Sequence, residues 1–403
     1  MNIKELFEKI GETRLTEEVP KGPTLKDMNV TQETIGLIDT WAKEMTRYGI
    51  LATYIPELKK VNPDLTAIAV GDLYGNELVV GDGKEVVVSM QSVIKPFLYI
   101  YALNKGIPPE DISGTEPTAL PFYDDKILRP KLHLKKAEHP LNNAGAISSS
   151  IAIDDFEDFL AFMRILTRNS KLNTLKNVFE SEMKTNDNNR AIANRMVAEG
   201  RFKNAKEGER ALRNYTQACS IGMNARDALR ACLVIASGGV GISDNKRLFD
   251  RNHAVRVMSA MNSFGMYERS GLFSLLVAGS RANTCKSGVG GIIININPGV
   301  GAFVTYSPLL DSVGNSVYGS YAMIPLNNLL AAPGAMRFDI DETLRSLDVH
   351  DKEESRVVHE KILQLVQNGE NAHVYRADPK ILAKLKKEYT KRKDTLDGLI
   401  SKK

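Results

Sequence analysis

The sequence predicts an α/β protein with three parts. An antiparallel sheet flanked by helices is assembled from two distant stretches of chain, an all-helical subdomain is inserted between them, and a helical C-terminal extension follows. Three observations predict this. Strand-like apolar runs occur at 65–80 and again at 292–306. Helix-periodic sequence fills the interval between them. After Pro333-Gly334 the chain becomes charged and helix-prone, without strand signals.

In chain order, residues 30–48 carry Ile35, Leu37, Ile38, Trp41 and Met45 as an apolar stripe. Thr31 is placed to cap that helix, and Glu33 to favour its positive end. Residues 65–70 and 78–80 form a strand pair around Tyr74-Gly75-Asn76-Glu77. A helix is expected from about Ser92. Residues 109–142 hold Pro109, Gly114, Pro117, Pro121, Pro130 and Pro140 and are expected to form a long functional loop. Residues 154–261 read as helices, broken near 184–189 and at Gly238-Gly239. Residues 292–296 and 302–306 read as strands joined through Pro298-Gly299-Val300-Gly301. In the tail, Val357, Val358, Ile362, Leu363 and Leu365 form a stripe expected to dock on the rest of the chain or on a second subunit. The lysine-rich run at 384–393 is read as a solvated helix face, with contact to an acidic partner or nucleic acid as the alternative.

The boundaries that follow are a catalytic unit over 1–335 and an extension over 336–403. Within the unit, about 30–108 and 262–335 form the α/β part and about 109–261 the helical subdomain.

The 403 residues are 43% apolar and 25% charged, as in a soluble globular protein. A net charge of +4 is modest for this length and is poor evidence for nucleic-acid binding, which usually shows as a concentrated basic stripe. Cys219, Cys232 and Cys285 are odd in number and lack metal-ligand spacing, so neither a disulfide framework nor a metal site is expected. The acid-containing start lacks the apolar core of a signal peptide, and no apolar run suits a membrane span. A cytoplasmic protein is expected, with no cofactor.

The chemistry centres on Gln91-Ser92-Val93-Ile94-Lys95. Residues three apart on a helix share a face, so the Lys95 amine can reach the Ser92 hydroxyl. A lysine whose pKa is depressed by burial can deprotonate a serine. Ser181-Glu182-Met183-Lys184 and Ser243-Asp244-Asn245-Lys246 repeat the spacing, but only the first example lies between a strand pair and an apolar helix. Downstream, Lys286-Ser287-Gly288 precedes the 292–296 strand. Gly288, Gly290 and Gly291 would let a ligand approach the backbone there, where an N–H can serve as an oxyanion donor.

Further motifs occur in order: Tyr54-Ile55-Pro56-Glu57-Leu58, Glu116-Pro117-Thr118, Asn143-Ala144-Gly145, Ser181-Glu182 with Asn189-Arg190, Tyr215-Thr216-Gln217, Gly265-Met266-Tyr267 and Ser307-Pro308-Leu309-Leu310-Asp311. Together with the serine and lysine motifs, over about residues 30–325, they make the chain resemble the serine-dependent glutaminases. That family has a β-lactamase/penicillin-binding-protein-like fold and hydrolyses L-glutamine to L-glutamate and ammonia.

The resemblance implies Ser92 as nucleophile, Lys95 as base and Tyr267 as proton relay. It implies the N–H groups of Ser92 and Val289 as the oxyanion hole. Tyr54, Asn143, Asn189 and Tyr215 would hold the substrate, Glu182 would pair with its ammonium, and Gln91 would lie beside the site. It also implies a homodimer or homotetramer. The chain departs from the family pattern at 119–136, a segment that gates the site in relatives. The alternatives are a β-lactamase or D,D-peptidase-like serine acyl hydrolase, and a catalytically silent scaffold. Export would be expected of the first, and loss of Ser92, Lys95 or Tyr267 of the second.

Overall fold

The computed structural model describes residues 21–52, 55–118, 128–131, 134–277, 284–329 and 351–356, with positions 387, 390, 391 and 394. Tyr54, segment 119–127, the tail stripe from Val357 to Leu365 and most of the lysine run lie outside the described residues.

Five strands make the main sheet: β1 (Ala67–Asp72), β2 (Glu77–Val80), β3 (Cys285–Ser287), β4 (Ile292–Asn297) and β5 (Gly301–Tyr306). Their order is β2-β1-β5-β4-β3, with every neighbour antiparallel. The two halves of the chain join at the β1–β5 ladder, from Ala67 opposite Tyr306 to Asp72 opposite Gly301. Alternation along the strands sends Ala67, Ala69, Ile292, Ile294, Ala302 and Val304 into one core. Ile68, Val70, Ile293 and Phe303 enter another. Both faces are buried, which is why these strands read as apolar runs with little polar alternation.

Helix α1 (Gln32–Met45) starts where Thr31 accepts a hydrogen bond from the Thr34 N–H. It buries Ile35, Ile38 and Ala42. Leu37, expected in the stripe, is 67% exposed. Successive helical residues are rotated by about 100°, which carries Leu37 off the face set by Ile35 and Ile38.

The helices that frame the site are α2 (Lys95–Asn104), α3 (Asn143–Ser149), α4 (Lys176–Thr185), α5 (Asp187–Ala198), α6 (Ala205–Cys219) and α7 (Ala225–Ala236). Helix α7 falls inside the stretch assigned from sequence to the helical subdomain, yet it packs on β1, β4 and β5. Helices α1 and α8 (Val317–Leu329) pack against each other on the opposite side of the sheet.

Two other expectations change. The 109–142 segment is not all loop: it holds a short helix, Pro109–Ile112, and a two-stranded hairpin, Leu128–Lys131 with Leu134–Ala137. Within the helical interval, Gly222–Met223 pairs with Val88–Ser89. That small ladder, extended by the Met90 N–H donating to the Ile221 carbonyl at 3.0 Å, ties the chain leading to Ser92 to the end of α6.

Candidate active site

Ser92 lies in a 3₁₀ turn, Gln91–Ile94, and not in the first turn of an α-helix as the sequence suggested; α2 begins at Lys95. The tighter winding still superposes residues three apart, so Ser92 and Lys95 remain on one face. Gln91 has φ +48°, a left-handed conformation that a side chain rarely adopts. Both Ser92 and Lys95 are buried.

The Lys286–Gly291 segment passes directly against this turn. A Cβ at Gly288 would lie 2.8 Å from the Met90 carbonyl oxygen, and one at Gly290 would lie 2.4 Å from that of Ser89. Only glycine permits the approach that sets Val289 beside Ser92 on the wall of one cavity. Among the described residues no backbone carbonyl takes the Val289 N–H.

That cavity has a volume of about 400 Å³. Its walls include Gln91, Ser92, Asn143, Glu182, Asn189, Tyr215 and Val289. Asn143, in the first turn of α3, is held in place because Asn142 caps that helix by accepting from the Gly145 N–H. The Asn143 Oδ1 accepts from Lys95 Nζ at 2.6 Å and from the Tyr215 hydroxyl at 3.2 Å. Its Nδ2 donates to Asn189 Oδ1 at 2.7 Å. One asparagine thus links the lysine to α5 and α6.

Glu182, on the inner face of α4, accepts from Gln91 Nε2 at 3.1 Å. Burial raises its carboxyl to about 7, against the pull of Gln91 and Lys95. Burial lowers Lys95 to about 7, against the pull of Cys219 and Glu182. A neutral amine is therefore accessible to Lys95 near neutral pH, as a base requires.

Tyr267 also has a left-handed backbone, φ +53°. Its hydroxyl is hydrogen-bonded to Ser92 and donates to the Ser287 carbonyl at 3.1 Å. Burial pushes the phenol upward, so it stays neutral and able both to donate and to accept. The sequence places Lys286 in a motif without indicating a role for its side chain. The structure buries it with Nζ 4.4 Å from the Tyr267 ring centre and 2.6 Å from the Ser287 carbonyl oxygen, and burial, then the nearby Lys95, lowers its pKa well below the usual range.

Two other groups near the lysines do not compete as base or nucleophile. His139, stacked on Phe264, is lowered to about 3 by burial and by Lys95 and Lys286. Burial raises the Cys219 thiol and keeps it protonated.

Asn186 was missed from the sequence. It lines the cavity, donates to Thr216 Oγ1 at 3.3 Å, and leaves its buried Oδ1 without a partner among the described residues. Position 186 carries no pattern that separates it from the polar residues around it. Of the residues implied by the resemblance, Gln91, Ser92, Asn143, Glu182, Asn189, Tyr215 and Val289 meet at the cavity. Lys95 and Tyr267 are joined to it through Asn143 and Ser92. Tyr54 lies outside the described residues.

An antiparallel sheet backed by helices, with this constellation at its edge, defines the class of β-lactamase-like folds. Comparison with known proteins narrows that class. The family model described as Glutaminase matches residues 49–332, and the chain belongs to the glutaminase family. It is 35% identical to a glutaminase of Clostridium tetani over 299 residues, 72% of this chain and 94% of that protein. It is 33% identical to a glutaminase of Colwellia psychrerythraea, covering 68% of this chain and 87% of the relative. Among solved structures, the probable glutaminase ybaS superposes with a TM-score of 0.66 at 29% identity, over 74% of this chain and 97% of that one.

Proposed function

We infer that the protein hydrolyses L-glutamine to L-glutamate and ammonia through an acyl-enzyme on Ser92. The observation that carries this reading is the convergence, on one cavity, of a buried serine joined to Tyr267 and a buried carboxylate, Glu182, with Lys95 linked through Asn143. Glutamine is a zwitterion with a neutral amide at its far end. Glu182 takes the α-ammonium, while Asn143, Asn189, Tyr215 and Tyr54 hold the α-carboxylate. Asn186 Oδ1 is a second acceptor for the ammonium.

Neutral Lys95 removes the Ser92 proton as Oγ attacks the amide carbon. The N–H groups of Ser92 and Val289 receive the oxyanion, and each such donor contributes roughly 3 kcal/mol. Tyr267 gives its hydroxyl proton to the departing ammonia and takes one from Lys95, which returns to its neutral form. Water then attacks the ester, Lys95 takes its proton, and that proton passes to Ser92 Oγ as glutamate leaves.

The test is ammonia release from glutamine in parallel with nitrocefin hydrolysis. Turnover of glutamine alone supports the reading. Nitrocefin turnover alone would favour a β-lactamase-like hydrolase, and neither would favour a silent scaffold. Assembly as a homodimer or homotetramer rests on the family resemblance, and cytoplasmic residence on the sequence. Among the described residues no helix is long and apolar enough to cross a membrane.

Two further results are expected. Below about pH 7 Lys95 gains a proton and cannot act as base, and Glu182 gains one and cannot pair with the ammonium. Both changes lower activity in the same direction, so kcat/KM should fall as pH drops through 7, with a slope steeper than one proton. A profile flat from pH 5.5 to 8 would remove both assignments. Asn186→Ala should raise KM by about tenfold through loss of one charge-assisted hydrogen bond, with kcat nearly unchanged. Steady-state kinetics with glutamine reads this directly.

A further inference from the structure

Residues 351–356 lie beyond the part of the chain matched by the family, yet they are helical and sit against the catalytic unit. Asp351 accepts from the Tyr321 hydroxyl at 3.1 Å, and Ser355 Oγ donates to the Tyr48 carbonyl at 2.9 Å. The main tether is Arg269. Its Nη1 lies 3.0 Å from Asp351 Oδ1 and 3.3 Å from Asp311 Oδ2, while Nη2 donates to Glu354. Glu354 also accepts from Ser312. The side chains of Arg269 and Asp351 are only 16% and 7% exposed. This is a largely buried cluster, unlike a solvated surface pair, so losing one member leaves charge without compensation.

Arg269 ends the one-turn 3₁₀ helix, Tyr267–Arg269, that begins with the left-handed Tyr267. A non-glycine residue persists in that conformation only where its surroundings hold it. On one side, Ser270 Oγ accepts from the Met266 N–H and donates to the Tyr267 carbonyl. On another, Asn315 Nδ2 donates to the Met266 carbonyl at 3.3 Å, and the Asn315 N–H is held by Asp311. A further hold is Arg269, and two of its three carboxylates come from the extension.

We propose that residues 351–356 are a strut for the active site: by clamping Arg269, Asp351 and Glu354 fix the turn that aims the Tyr267 hydroxyl at Ser92. Arg269, Asp351 and Glu354 are positioning residues, because they act through Tyr267 and touch no substrate. The inference rests on the proposed glutaminase reaction and deepens it, since the extension becomes part of the machinery that moves the proton. The expected signature is a loss in kcat with substrate affinity retained, because Glu182, Asn143 and Asn189 lie on other elements.

The experiment uses the full-length chain. Asp351→Asn/Glu354→Gln keeps side-chain shape and removes both charges. It should lower kcat for glutamine by about 10- to 100-fold, the scale of a small misplacement of a catalytic group, with KM changed less than about threefold. Arg269→Met should give a similar loss, and the triple variant should lose no more than Arg269→Met alone. Ser355→Ala loosens the same segment without touching Arg269 and should keep kcat within about twofold. Should the double variant fail to fold, Glu354→Gln alone is expected to show a smaller loss of the same kind. Losses that multiply, a rise in KM in place of a fall in kcat, or an equal effect from Ser355→Ala would overturn the strut. Wild-type protein that releases no ammonia from glutamine would instead overturn the reaction itself.

Discussion

Replacing Ser92 with alanine is expected to end ammonia release, lowering kcat by on the order of 10⁶-fold as when the nucleophile of a serine hydrolase is lost. The fold should survive. Ser92 sits in a 3₁₀ turn whose neighbours are already buried, and the change removes one oxygen bonded to Tyr267. Lys95→Met should be nearly as damaging, because the serine is a poor nucleophile until its proton is taken. The double variant should be no worse than either single one, since the two act as one unit. Circular dichroism with steady-state kinetics checks this. A folded Ser92→Ala variant retaining more than about one percent of wild-type turnover would exclude the acyl-enzyme.

Glu182→Gln is expected to reduce kcat/KM by about 10²- to 10³-fold, mainly through KM, the usual scale for removing one partner of a buried charged pair. The glutamine side chain keeps the size of the original and can still bond with Gln91, so the free enzyme is little disturbed. What disappears is the charge that receives the substrate's ammonium. In the empty site that carboxyl is raised to about 7 by burial. An arriving ammonium favours its ionised form, so binding and ionisation reinforce one another. Blocking the amine should have the same effect from the other side, leaving N-acetylglutamine unhydrolysed. Equal turnover of glutamine and N-acetylglutamine by the wild type would remove Glu182 from this role.

The sheet was readable in the sequence because both its faces are buried. Ile292, Ile293 and Ile294 cannot belong to a solvated strand, and the β1–β2 turn announces itself through Gly75 and Asn76. Ser92 and Lys95 were readable because their spacing brings them together on either kind of helix. The 3₁₀ turn itself was hidden, since it depends on Gln91 taking a left-handed conformation and on the distant Ile221 receiving the Met90 N–H. The hairpin at 128–137 was hidden by Pro130, which reads as a breaker but is tolerated where a strand has only one partner. Asn186 and Lys286 gain meaning only from what surrounds them. The Arg269 cluster joins residues about 40 to 85 positions apart, a separation at which local periodicity carries no information.

The left-handed backbones of Gln91 and Tyr267 bear on how this protein can be improved. Each holds a side chain where glycine would be at ease, at a cost of about 1–3 kcal/mol. Gln91→Gly and Tyr267→Gly would relieve that strain, while removing the bond to Glu182 in one case and the hydroxyl at Ser92 in the other. Selection on heat resistance alone would therefore not register the loss of these contacts. A library meant to yield a hardier catalyst should hold these two codons constant and apply its selection on turnover.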